Sequence, residues 1–210
     1  MADAKELFTT IERESREEFE EKRSIFIGRA KRVDSEEEAQ EYVKAIKKEH
    51  RDATHNVWAY LMQGEIVARY SDDGEPQGTA GMPVLDVIRK SGVRNVCVVV
   101  TRYFGGTLLG AGGLVRAYSH AAALAIEAAG TITYEPYTEY CLRCGYSEYQ
   151  KYSVLLSNAK VCIDATDFGA EVCIRFAVKK SDAEGLIRTI VETGYGKDIP
   201  EEVGERLDYR

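Results

Sequence analysis

The chain has 210 residues, 44% of them hydrophobic and only four of them proline, with 28 Lys and Arg against 35 Asp and Glu for a net charge of −7. A chain of that length buries roughly 70% of its unfolded surface without disulfide or metal staples, and its apolar content excludes a disordered polymer. The acid excess excludes a dedicated nonspecific DNA binder, whose affinity comes from Lys and Arg neutralising phosphates.

The first two dozen residues carry dense mixed charge, Glu12-Arg13-Glu14 through Glu20-Glu21-Lys22-Arg23, with Phe19 the lone apolar break. That pattern is open to a solvated helix or an edge strand. It lacks the basic start and apolar centre of a signal peptide. The longest apolar runs, residues 96–100 and 121–126, fall far short of the ~20 residues that span a bilayer. Five cysteines without a secretory signal suit reduced thiols. The expectation is a soluble, cytoplasmic protein with no membrane contact.

Residues 24–28 read as a short strand. Asp34 and Ser35 offer caps to a helix, Ser35 and Glu38 have capping-box spacing, and Ala39, Tyr42, Val43 and Ile46 recur at helical steps. Residues 56–62 and 65–70 read as strands flanking a tight turn at Gln63-Gly64. Residues 71–83 hold three Gly, two Pro and three acids, which is loop chemistry. Pro83 then suits the first turn of a helix carrying Val84, Val87 and Ile88 and stopping at Ser91-Gly92. Residues 96–101 form a buried-strand run. A glycine-rich loop at 105–113 opens a helix to about Ala129 that is apolar almost all round and so buried.

Beyond Gly130 the pattern restarts, and eight of the thirteen tyrosines lie there. Strands at 137–144 and around 161–178 alternate with helices at 147–157 and after Ser181. Val161, Ile163 and Ala165 are expected on one strand face, and Val172, Ile174, Phe176 and Val178 on one face of the next, joined through Asp167-Phe168-Gly169. Ser181 and Glu184 have box spacing for a helix whose Ala183, Leu186, Ile187, Ile190 and Val191 face the core, and Gly194 ends it. The order strand, helix, strand, strand, helix, strand is that of a ferredoxin-like βαββαβ domain. The chain is thus α+β with two domains, 1–132 and 133–210.

Chemical motifs are sparse. Cys141 and Cys144 form a CxxC, but three residues apart on a strand they face opposite ways, so no shared metal or easy disulfide follows. Asp167-Phe168-Gly169 spells a kinase tripeptide without the other kinase motifs. Gly105 and Gly110 have phosphate-loop spacing, yet Ala111 and Gly112 stand where Lys and Ser or Thr belong. Val115 likewise fills the last glycine slot of a dinucleotide fingerprint. No cofactor and no metal are expected.

Two arrangements remain. Arg102 and Gly105-Gly106 end a strand, and Gly110, Gly112 and Gly113 open a helix carrying Arg116; glycine N–H groups at a helix start suit an anion, which two arginines can clamp. In the alternative reading the glycines serve tight turning, and the arginines pair with Asp72, Asp73 or Glu75. Asp72, Asp73 and Glu75 themselves could bind Mg²⁺ or supply a general base with His55 or His120, or form a solvated turn or capping network. Lys44, Lys47, Lys48 and Arg51 with Arg89, Lys90 and Arg94 could form a basic patch or be only a solvated face. The open face of the second sheet mixes Glu139, Cys141 and Arg143 with Glu171, Cys173 and Arg175, a poor platform for stacking bases. Residues 131–210 hold 10 basic and 14 acidic residues, so any nucleic-acid contact must be a small focused patch.

Three stretches carry a family resemblance. Ala53-Thr54-His55-Asn56 with Trp58-Ala59-Tyr60, then Asp72-Asp73-Gly74-Glu75-Pro76-Gln77-Gly78-Thr79-Ala80-Gly81, then residues 102–118 from Arg102-Tyr103-Phe104-Gly105-Gly106 to Arg116-Ala117-Tyr118 resemble the IMPACT family, in its bacterial YigZ/YvyE-type branch. The resemblance covers essentially the whole chain. It implies an N-terminal α/β domain like a ribosomal-protein domain and elongation-factor domain IV, and a ferredoxin-like C-terminal domain like elongation-factor domain V. Met82 stands where relatives often carry Lys or Arg. The eukaryotic relative regulates translation under amino-acid starvation by binding an activator of a stress-responsive kinase. The resemblance therefore implies a non-enzymatic binding protein linked to translation, with RNA, the ribosome or a translation-regulating protein as partner. The alternative is an enzyme acting on a phosphorylated small molecule or nucleotide through His55, Asp72, Asp73 and Arg102.

Overall fold

The computed structural model describes residues 7–63 and 67–209. Gly64 of the expected turn and the start of the following strand, residues 64–66, lie outside the described residues. The chain divides into two compact units, Phe8–Thr133 and one formed mainly by Tyr134–Arg210.

The first unit runs β1 (Phe8–Ile11), β2 (Ser15–Glu21), β3 (Ser24–Arg32), α1 (Glu36–Glu49), β4 (His55–Leu61), β5 (Ala68–Ser71), α2 (Gly81–Ser91), β6 (Val96–Tyr103) and α3 (Ala111–Ala129). Its main sheet has the order β2-β3-β6-β4-β5. Each neighbouring pair is antiparallel. The charged N-terminal stretch resolves as an edge strand, because Phe19 alone needs burial and stacks on Phe26 with ring centroids 5.3 Å apart. Central β6 is buried along nearly its whole length. Val96, Val98 and Val100 face one core with α2 and α3, while Cys97 and Val99 face a second core under α1. Helices on both faces explain why this strand reads as an unbroken apolar run. The small residues of α3 serve a close approach: a Cβ at Gly28 would sit 2.3 Å from the carbonyl oxygen of Ala121.

Helix α1 starts as its sequence dictates. Ser35 Oγ accepts the Glu38 N–H at 3.1 Å, while the Glu38 carboxylate reaches past the cap to the Asp34 N–H at 2.9 Å. Helix α2 begins two residues ahead of Pro83 and ends at Gly92, which takes φ +76°.

The second unit contains most of β7 (Thr131–Cys144), then α4 (Tyr146–Asn158), β8 (Cys162–Phe168), β9 (Val172–Lys179), α5 (Ala183–Thr193) and β10 (Glu201–Asp208). Strands β8-β9-β7-β10 lie side by side and antiparallel. Val172, Ile174, Phe176 and Val178 share a buried face with Leu142, Leu156 and Ile190. Two expectations need correction. A register shift between Ile163 and Ala165 breaks the alternation of β8, so Ile163, opposite Phe176, and Ala165, opposite Arg175, do not share one strand face, and Ile163 is 43% exposed. Ser181 does not cap α5 either: Asp182 is the N-cap, and Ser181 donates to its carboxylate. No described helix is long and apolar enough to cross a membrane.

Candidate functional site

The register of β4 on β6 sets His55 directly opposite Arg102 at one end of the first unit's sheet. The acidic loop folds over that end, and each of its carboxylates meets different donors. Asp72 Oδ1 accepts the N–H groups of Ala80 and Gly81 at 3.1 and 2.8 Å, and its Oδ2 accepts that of Gly78 at 2.9 Å. It therefore caps α2, whose own N-cap, Ala80, has no side chain to do so. Asp73, in a left-handed conformation with φ +47°, accepts the Asn56 N–H at 2.6 Å and the Lys47 ammonium at 2.5 Å.

Glu75 is buried. Its Oε1 accepts from Arg102 Nη1 at 2.6 Å and from the Tyr118 hydroxyl at 2.8 Å, and its side chain is 4% exposed. Burial and then the Glu75 charge push the Tyr118 phenol well above its ordinary range. Arg102 also donates to Ser24 Oγ at 3.3 Å and lies between the Phe26 and Phe104 rings, 5.4 Å from each centroid. Its Nε is buried and has no hydrogen-bond partner among the described residues. His55 Nδ1 lies 2.8 Å from the Asp73 carbonyl oxygen. A carbonyl only accepts, so the proton sits on Nδ1 and Nε2 faces Glu75 Oε1 at 3.8 Å.

His55, Glu75 and Arg102 floor a cavity of about 440 Å³. Its apolar wall is Phe104, Leu108 and Leu109, of which Phe104 is 44% and Leu108 83% exposed. Its remaining side is the start of α3 at Gly110 and Ala111. Gly110 takes φ +72°, and the first turn of α3 has neither an acidic residue nor a side-chain cap. Its free amides present a partial positive charge. Gly105 instead permits a close backbone approach, since a Cβ there would lie 1.9 Å from the Arg23 carbonyl oxygen, and its N–H donates to Ser24 Oγ. Gly106 takes φ +84° in the exposed turn that follows.

The structure thus gathers His55, Glu75, Arg102 and Gly110 at one cavity. Arg116 is not among them, which corrects the two-arginine clamp. It is exposed on α3 and lines a separate cavity of about 240 Å³ with Gly113, Phe19 and His120. Gly112 is exposed beside it. His120 packs its ring edge-on against Phe19 at 4.8 Å rather than serving the acidic loop. Asp72, Asp73 and Glu75 do not converge on a common point where one ion would sit. Their charges are met by backbone amides, Lys47 and Arg102. Sequence reasoning assigned no part to Ser24, Phe26 or Tyr118. A phenol on an otherwise apolar helix was the available signal, since a buried hydroxyl must find an acceptor.

Residues 22–126, which include every residue of this cavity, match the family model described as Impact N-terminal domain. The chain is 43% identical over 126 residues to IMPACT family member YvyE of Bacillus subtilis (strain 168), across 60% of this chain and 58% of that protein. It is 38% identical over 160 residues to IMPACT family member YigZ of Escherichia coli (strain K12), across 75% and 78% of the two chains. A crystal structure of a hypothetical protein has the same fold, with 32% identity and a TM-score of 0.60, covering 94% of this chain and 98% of that one.

Proposed function

This chain belongs to the IMPACT family, and from that premise we propose that it is a non-enzymatic, cytoplasmic binding protein that regulates translation by contacting RNA on the ribosome. The contact is a single backbone phosphate at the mouth of α3. One observation carries the reading: Arg102, whose buried Nε–H has no acceptor among the described residues, lines the same cavity as the acid-free first turn of α3. Both supply N–H donors that a phosphate oxygen accepts. Glu75 offsets the Arg102 charge, so the site attracts one anion rather than a long polyanion. That fits a chain of net charge −7. The exposed Phe104 ring beside it offers a face to a base or sugar.

Ala111→Glu tests this without touching the buried ion pair. A carboxylate in the first turn favours the helix but repels phosphate. The expected result is at least a tenfold loss of ribosome co-sedimentation and RNA affinity, an unchanged or raised melting temperature, and a salt slope shallower by about one. Full binding by the variant, or no wild-type binding to RNA or ribosomes at low salt, would overturn the reading. Capture of a translation factor free of RNA would point to a protein partner instead.

A further inference from the structure

The second unit's sheet brings two sulfurs together that lie 32 residues apart in sequence. In the β7–β9 register Cys141 stands opposite Arg175 and Cys173 opposite Arg143, so the two cysteines are diagonal neighbours on one face of the sheet. Diagonal side chains are within reach of each other, and here the Sγ atoms approach to 2.6 Å. The five cysteines carry no disulfide. Cys144, the other half of the sequence CxxC, faces away into the core between sheet and helices. Cys141 is buried and Cys173 is partly open to solvent.

We propose that Cys141 and Cys173 form a dithiol site that closes reversibly to a cross-strand disulfide when a peroxide-class oxidant reaches this face. Cys173, the more open sulfur, attacks the peroxide; the O–O bond breaks, giving a sulfenic acid on Cys173 and one water. The Cys141 sulfur then displaces the hydroxyl, which leaves as a second water with the Cys141 proton while the S–S bond forms. Two thiols lose two electrons in all, and the peroxide becomes two waters. Burial and the neighbouring sulfur push the Cys141 thiol up to about 11, so it keeps its proton until that step. Arg143 and Arg175 stand opposite the pair in the register. A shift of about half an ångström converts the present separation to a bonded one of ~2.05 Å.

The test is oxidation of the full chain with stoichiometric hydrogen peroxide, alkylation of remaining thiols, and mass mapping. The expected product is 2 Da lighter with two fewer alkylated thiols, and dithiothreitol reverses it. Trypsin then yields a cross-link between the peptide ending at Arg143 and peptide 161–175. Cys141→Ser and Cys173→Ser each abolish the link; Cys144→Ser and Cys162→Ser keep it, the latter assigning the sulfur within peptide 161–175. A Cys141–Cys144 link, persistence of the link in Cys173→Ser, or conversion of Cys173 to sulfinic acid with no link in the wild type would overturn the proposal.

Discussion

Glu75 shows how much of the motif chemistry is spent inside the fold. Two donors, Arg102 and Tyr118, meet at one carboxylate oxygen where almost no water reaches. In such a setting the attraction between the charges is offset by their desolvation, but losing one partner leaves the other stranded. Glu75→Gln should therefore lower the stability of the fold by about 3–5 kcal/mol, because the Arg102 charge stays buried without a counter-charge. Tyr118→Phe removes one donor and leaves the ion pair, and should lower it by about 1.5–3 kcal/mol, the range of hydrogen bonds to charged groups. Urea denaturation of both variants checks the order. Equal losses would mean that Glu75 is held mainly by Tyr118.

At the scale of elements, α2 depends on a cap that its own sequence does not contain. Two amides at its start, Ala80 and Gly81, and the Gly78 amide just ahead of it point at Asp72, which lies six to nine residues earlier. Asp72→Ala should cost about 2 kcal/mol, at the upper end for an N-cap, since several amides lose their acceptor together. Asp72→Asn keeps an acceptor oxygen and should recover about half; urea midpoints of the two variants separate the cases. This contrast also shows where the chain is readable in advance. The cap of α1 is local, Ser35 to Glu38, so spacing reveals it. Periodicity likewise reveals α1 and β9, because residues are buried there at a fixed step, while continuous apolar stretches reveal β6 and α3. The bulge in β8 shifts that step, and no residue type marks it. At the cavity, spacing singled out the residue types, but the donors that take up each acid come from other elements. Arg102 joins Glu75 across 27 residues, whereas Arg116, equally basic and one turn into the neighbouring helix, points to a different cavity. Cys141 and Cys173 could be assigned to one face from alternation alone; their convergence needed the diagonal of the strand register.

Across the whole molecule the same device recurs at the edges of the cores. Tyr42 donates to Glu14, Tyr60 to Glu36, Tyr118 to Glu75 and Tyr152 to Asp198. Each phenol is buried beside an acceptor carboxylate, and burial followed by that carboxylate raises its pKa, to about 12 for Tyr60. Burial likewise raises Cys141 and Cys144 to about 11 and moves Cys97 upward. All these groups hold their protons in the folded chain at a pH where the unfolded chain has released them. Their stabilising effect is complete below the ordinary values of about 9 for thiols and 10 for tyrosines. It is lost as pH rises towards the raised ones, because the folded state then binds more protons than the unfolded state. Each such proton contributes a slope of about 1.4 kcal/mol per pH unit within its window. The urea midpoint should therefore decline from pH 9 and fall more steeply above pH 10, with unfolding at pH 11 accompanied by a rise in tyrosinate absorbance. Tyr60→Phe and Tyr42→Phe should each flatten the decline, as a side chain without a hydroxyl has no proton to release. A midpoint unchanged between pH 9 and 11 would show that these phenols ionise in the folded chain as readily as in the unfolded one.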